Sequence, residues 1–403
     1  MPWNNQSIDV CFDQGSEMFW VFGPQTDYLW GGRFPPGTCS SPVGLPMYDY
    51  QNSPRHPELK DMDESFSILY GGGARSLFGN STVTDTMMFS SSAGQVSTIA
   101  NITGALPFAM FFQQEDTQGR CDPKELDHWY VDRGILGISK YKSDSQKPHV
   151  RHDLLERGAI SNQVQSMWFD EAPEDPRATF TGGAIFGGVD MSKFTGPLVK
   201  VSAIELEGEV GYYVSPPRVS VNGKAINDTG FAEPTCHLDC GTTNDALPIT
   251  TGTKKALLAA TGLVESASGN IAWNGTCDSV PRDLSIDLTF PGARNTTTSS
   301  SSVTVKVPLR NYVRQDDGTE KDKFGNTVCR LSLYTSDEYG RCVFGAPFAT
   351  AAFFAADDEK SEIALAQGGV SLRGSGPDDS KILARIPDTW EQKRRLTRFS
   401  AAV

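Results

Sequence analysis

Two short runs of this sequence hold the residue types that could do acid–base chemistry as a pair. The first is Asp13-Gln14-Gly15-Ser16 and the second is Asp239-Cys240-Gly241-Thr242. Each reads D-x-G-S/T, and each closes an apolar stretch. Two carboxyls a few ångströms apart cannot both ionise: one keeps a proton and serves as acid, while the other accepts a proton from water. Such a pair titrates as a unit. Asp13 and Asp239 meet only if the two halves of the chain come face to face. Gly15 and Gly241 would let backbone approach the carboxyls with no Cβ in the way. Ser16 and Thr242 can donate hydroxyls that fix each carboxyl in orientation. A single D-x-G is ordinarily a turn, so the weight of the reading lies in its repetition.

Each run has a distant counterpart, a hydrophobic–hydrophobic–Gly triplet: Ile135-Leu136-Gly137 in the first half, Val343-Phe344-Gly345 in the second. This internal repeat predicts two similar units. A chain of 403 residues is suited to two units of about 200 residues each. The elements that must position the aspartates are mostly strands, short apolar runs between Gly, Pro, Asn and Asp clusters. They are Ile8–Phe12, Phe66–Tyr70, Val83–Phe89, Gly183–Gly188, Val210–Val214, Val219–Val221, Leu284–Phe290, Val303–Val307, Cys342–Phe344 and Ile363–Ala366. Helices are expected at Thr253–Ala260, stopped by Gly262, and more weakly at His152–Arg157 and Asn162–Trp168. His149 and His152 read as solvated loop residues, and Asp357-Asp358 as solvated loop charge.

At these residues the sequence resembles the pepsin-like aspartic peptidases, a fungal type above all, from about residue 6 to 372. Trp20 falls where that family places a Trp beside a flap tyrosine. Phe66–Gly73 resembles the flap hairpin, with Tyr70 as its tyrosine and Gly71 and Gly72 after it. Asp132–Gly137 resembles the D-G-I-L-G motif with Arg133 inserted, and Gly183–Asp190 the end of a first lobe. The resemblance implies an all-β, bilobal fold with pseudo-twofold symmetry, a few short helices and a substrate cleft between the lobes. It implies a β lobe over 1–196 with Asp13 and the flap and a second over 197–372 with Asp239; residues 373–403, with Gly, Pro and mixed charge after the last expected strand, read as a polar tail. The implied activity is an aspartic endopeptidase working in acid on peptide or protein substrates, as a monomer, open to statine-type inhibitors and needing no cofactor. Gly15, Ser16, Tyr70, Gly71, Gly72, Gly241 and Thr242 would contact substrate or support the pair. Cys277 with Cys329 is the implied disulfide, with Cys39 and Cys121 a weaker one; Cys11, Cys236, Cys240 and Cys342 are left unassigned.

The sequence departs from that pattern. The residue after each aspartate is normally a Thr or Ser whose hydroxyl bonds across to the opposite loop; here it is Gln14 or Cys240. Gly72 stands where the flap usually offers a side chain. These departures motivate an alternative, an impaired relative that uses its cleft for peptide or protein binding. Asp13 also lies near the start of the chain, and Met1–Asn5 is no signal peptide. A first strand, signal peptide and prosegment are therefore expected upstream.

Other classes find less support. Thirty-six basic residues against 49 acidic give a net charge of −13, which disfavours nucleic acid and anionic membranes. No apolar run reaches the length of a membrane span. Cys236-His237-Leu238-Asp239-Cys240 could suggest a metal site, but strand alternation sends these side chains to opposite faces. H-E-x-x-H, G-x-S-x-G and P-loop motifs are absent, and glycoside hydrolysis by the aspartates has no motif behind it. Eight cysteines and N-x-S/T sequons at Asn5, Asn80, Asn101, Asn227, Asn274 and Asn295 fit a secretory, vacuolar or cell-surface route.

Overall fold

The strand Cys11–Asp13 runs parallel to Ile135–Gly137, in the register Cys11 to Ile135, Phe12 to Leu136 and Asp13 to Gly137. The triplet strand also pairs antiparallel with Phe19–Trp30. It is therefore threaded between the strand that brings Asp13 in and the strand that leaves it. The second half repeats the arrangement. Cys236–Leu238 runs parallel to Cys342–Phe344, and the latter meets Asp245–Leu247 antiparallel at Ala246 and Val343. These relations come from a computed structural model, which describes residues 10–30, 48–53, 58, 60–70, 75–85, 106–116, 134–141, 147–226, 234–293, 302–314 and 318–388.

The chain divides into two compact units. One comprises Met1–Gln163, Gly208–Tyr212 and Asp239–Gly241; the other comprises Val164–Glu207, Tyr213–Leu238 and Thr242–Val403. The second aspartate and its glycine thus belong to the unit that holds Asp13. Within that unit a six-stranded sheet extends outward through Leu106–Asp116, Arg75–Asp85 and Lys60–Tyr70. Trp20 and Phe22 are fully buried in it, ring edge to ring face with centroids 5.2 Å apart.

In the other unit, Ser302–Pro308 shows how the chain encodes a half-buried strand. Val303, Val305 and Val307 are buried and alternate with exposed Thr304 and Lys306. This strand pairs with Ser285–Pro291, whose Ile286, Leu288 and Phe290 are also buried. Phe290, Phe344 and Phe348 form one aromatic cluster with centroids 4.9 to 5.6 Å apart. A five-stranded sheet orders Thr195–Val201, Glu362–Gln367, Ala352–Asp357, Val164–Phe169 and Gly182–Phe186.

The fold is all-β and pepsin-like, with few helices, as the resemblance implies. The expected helix over Asn162–Trp168 is a strand, Val164–Phe169, flanked by strands on both sides. Five of its residues in succession are buried, so the period-2 alternation that marks a half-exposed strand is missing. Helices form at Val150–Glu156 and Thr251–Thr261, the latter ended by Gly262 in the left-handed region at φ 71°. Asp357 is not solvated charge: it is buried at the end of its strand and paired with Arg385 at 3.0 Å. Beyond residue 373, Ile382–Leu383 pairs with Val189–Asp190, and Ile386 is buried.

Candidate active site

Asp13 ends its strand, where its carbonyl accepts from the Ile138 N–H at 2.9 Å. The chain turns at Gln14 and Gly15. The Gly15 N–H then donates to Asp13 Oδ1 at 2.7 Å, and Ser16 Oγ donates to Oδ2 at 2.5 Å. The Gly241 N–H donates to Asp239 Oδ1 at 3.1 Å in the same fashion. The two turns face each other, each glycine lying against the other turn's carboxyl. A Cβ on Gly15 would stand 2.6 Å from Asp239 Oδ1, and a Cβ on Gly241 would meet Asp13 Oδ1 more closely still. No other residue type fits at either place.

The carboxyls of Asp13 and Asp239 hydrogen-bond to each other, and both residues are under a tenth exposed. Burial, then the Asp239 charge, then the shared hydrogen bond push Asp13 up to about 7, against the opposing pull of Ser16 and Gly15. One proton is thus retained by the pair well above the ordinary carboxylate range. An acid and a base side by side can move protons to and from a molecule placed against them.

The position after each aspartate behaves differently in the two turns. Cys240 Sγ donates to the Phe12 carbonyl at 3.1 Å and accepts from the Gln14 N–H. A thiol therefore makes the crossing contact that a hydroxyl was expected to make. Gln14 is buried, and its Nε2 has no partner among the described residues. Cys240 is not tied up in a disulfide. Cys236 pairs with Cys342, and Cys277 with Cys329. The first joins residues in direct register across parallel strands, a relation invisible until the strands are aligned.

Of the other expected site residues, Thr242 begins the neighbouring unit, where its carbonyl accepts from the Ala346 N–H at 2.8 Å. Tyr70 ends the strand Lys60–Tyr70 in register with Arg75. Gly71 and Gly72, like Cys39 and Cys121, lie outside the described residues.

Sequence reasoning missed three groups. His149 is buried, not solvated. Its Nε2 contacts the Ser139 carbonyl at 2.8 Å, and its Nδ1 accepts from the His152 N–H at 3.3 Å. Burial first, and then the Arg151 charge, lower it to about 3. His152 is half-buried and stacks on Tyr141. Arg151 is fully buried and donates to the carbonyls of Ile138, Ser139 and Gln163 and to Tyr212 Oη. Since Ile138 and Ser139 bond to Asp13 and Ser16 through the backbone, His149 and Arg151 brace the loop that holds the first turn. Asp245, fully buried, accepts from the Gly345 N–H at 2.7 Å and the Phe348 N–H at 3.3 Å, and burial pushes it up to about 8. Only its place in the run after Asp239 could have singled it out.

The family profile described as eukaryotic aspartyl protease matches residues 3–368. Secreted aspartic protease 3 of Candida albicans is 26% identical over 368 residues, covering 90% of this chain and 77% of that protein. Aspartic proteinase 3 of Saccharomyces cerevisiae is 28% identical over 317 residues, covering 75% of this chain and 48% of that protein. The acid protease of Saccharomycopsis fibuligera is 23% identical over 379 residues, with 90% and 77% covered. With a profile match over nearly its whole length and the doubled turn in place, the chain belongs to the eukaryotic aspartyl protease family.

Proposed function

We propose that the protein is an endopeptidase that hydrolyses peptide bonds in acid through water activated by Asp13 and Asp239. The observation that carries the reading is the buried, hydrogen-bonded pair with Asp13 raised to about 7. The ionised member takes a proton from water as its oxygen attacks the peptide carbonyl carbon, and the protonated member gives its proton to the carbonyl oxygen. Collapse of the adduct returns a proton to the departing amine. Ser16 orients Asp13. Tyr70, Gly71 and Gly72 are assigned to covering the bound peptide. Relatives named as secreted or acid proteases support a secretory route and an acid optimum.

Asp13→Asn and Asp239→Asn should each slow cleavage of a denatured protein at about pH 4 by about 10²–10⁴-fold. Cleavage at the wild-type rate in both variants would refute the reading. The unpartnered Gln14 amide favours a second reading, a cleft that binds peptides without cutting them. Tight binding of a statine-type transition-state analogue in acid would exclude it.

A further inference from the structure

Two sulfurs converge on one backbone oxygen beside the aspartate pair. Cys240 Sγ lies 3.1 Å from the Phe12 carbonyl oxygen, and Cys11 Sγ lies 3.9 Å from the same oxygen. Neither cysteine belongs to a disulfide. Cys11 is exposed, whereas the Cys240 sulfur sits beside the buried Asp13. One thiol of the pair is therefore exposed and the other half-buried. The inner one makes the crossing contact between the two turns.

We propose that Cys11 and Cys240 form a dithiol that exchanges with small-molecule disulfides and, once closed, switches the aspartate site off. The activity part of this proposal rests on the endopeptidase reading above. In the first step the Cys11 thiolate attacks one sulfur of the reagent RSSR. The reagent's S–S bond breaks, a Cys11–SR bond forms, and RS⁻ leaves, to be protonated to RSH. Cys240 then loses its proton and its sulfur attacks the Cys11 sulfur. A second RS⁻ leaves and is protonated. Both cysteines are oxidised by one electron each, and one disulfide reagent is reduced to two thiols.

The order of events follows from access and charge. Burial, and after it the Asp13 and Cys11 charges, hold the Cys240 thiol well above its ordinary range. Cys240 is therefore a poor first attacker and acts only on a sulfur already delivered to it. Closure costs the site its crossing contact. Sγ must leave the Phe12 carbonyl, and a bonded sulfur no longer has a proton to donate there. The Gln14 N–H loses its present acceptor at the same time. A hydroxyl at position 240 could not be switched in this way, so the sensitivity belongs to the Cys240 departure itself.

The test is to treat the full chain with oxidised glutathione at about pH 7.5, block remaining thiols, and map disulfides by mass spectrometry. Cleavage of a denatured protein is assayed in parallel at about pH 4. The expected result is a linked Cys11–Cys240 peptide and at least a tenfold loss of cleavage, restored by reduced glutathione. Cys11→Ser should begin with wild-type activity and keep it under oxidation. No linked peptide, with both cysteines still alkylated, would overturn the proposal, and so would a linked peptide with undiminished cleavage. A chain that cleaves nothing even when reduced would count against the endopeptidase reading, and the linked peptide would still decide the dithiol.

Discussion

Gly15 and Gly241 let two carboxyls share one proton by leaving out a methylene group. Each glycine fills the space against the other turn's aspartate, where a Cβ would stand far inside van der Waals contact with a carboxyl oxygen. Gly15→Ala must therefore push Asp239 away from Asp13. We expect cleavage in acid to fall at least as far as in Asp13→Asn, and stability to drop by about 1–3 kcal/mol in urea titrations. A variant with normal activity would mean that the turns do not face each other as described. Asp245 is a second buried carboxyl, held by two backbone N–H groups. Its folded carboxyl keeps a proton to about pH 8, against an ordinary value of 3.8. Its contribution is whole below pH 3.8 and is lost as pH rises through 8. Asp245→Asn keeps an oxygen for both N–H donors and removes the titration. The variant should lose less stability than the parent between pH 4 and 8, by a difference on the order of a few kcal/mol. Parallel stability–pH curves for the two proteins would reject this.

At the scale of elements, the short helix Val150–Glu156 matters through its first turn. His149 caps the helix, and Arg151 reaches back to the loop after Ile135–Gly137. The His149 geometry suits a neutral ring, with Nδ1 accepting and Nε2 donating. Protonation would set an N–H against the His152 N–H, beside the Arg151 charge. The folded ring stays neutral down to about 3, against an ordinary 6.5. Its contribution is whole above pH 6.5 and is lost as pH falls through 3. His149→Gln, which can donate to Ser139 and accept from His152, should flatten the acid limb of stability measured by thermal melting from pH 6.5 to 3. An unchanged acid limb would show that His149 does not titrate in the fold. The segment after residue 373 is an element of a different kind. Arg385 reaches Asp357, whose side chain is fully buried, and also Glu359. Arg385 is itself partly exposed, which limits the strength of the pair. Arg385→Ala should cost about 1–3 kcal/mol, and adding Asp357→Asn should recover most of it. A double variant no better than the single would place the cost elsewhere in that segment.

At the scale of the whole molecule the titrating groups pull in opposite directions. Asp13 and Asp245 favour the folded state in acid, and His149 opposes the lowest pH. The net charge of −13 at neutral pH falls in magnitude as carboxylates protonate, which relieves self-repulsion. Stability should therefore peak near about pH 4, declining toward pH 8 as Asp13 and Asp245 lose their protons, and again as the pH falls to about 3 and His149 gains one. A denaturant midpoint that rises steadily from pH 4 to 8 would contradict this balance.

The doubled D-x-G-S/T and its partner triplets stand in the sequence alone, and the family resemblance they carry implied the all-β pepsin-like fold. These are local patterns repeated in two halves, and a repeat is legible without knowing what touches what. The Cys277–Cys329 bridge was available only through family resemblance. Tertiary structure alone decided that Cys236 bonds to Cys342, that Cys240 is left as a thiol spanning the two turns, and that His149, Arg151 and Asp245 are buried. It also decided that Asp13 keeps its proton to about 7. Register, burial and charge proximity are relations between residues far apart in the chain, and no local pattern carries them. Val164–Phe169 marks the boundary between the two kinds of knowledge: covering a strand on both faces erased the alternation by which it would have been read.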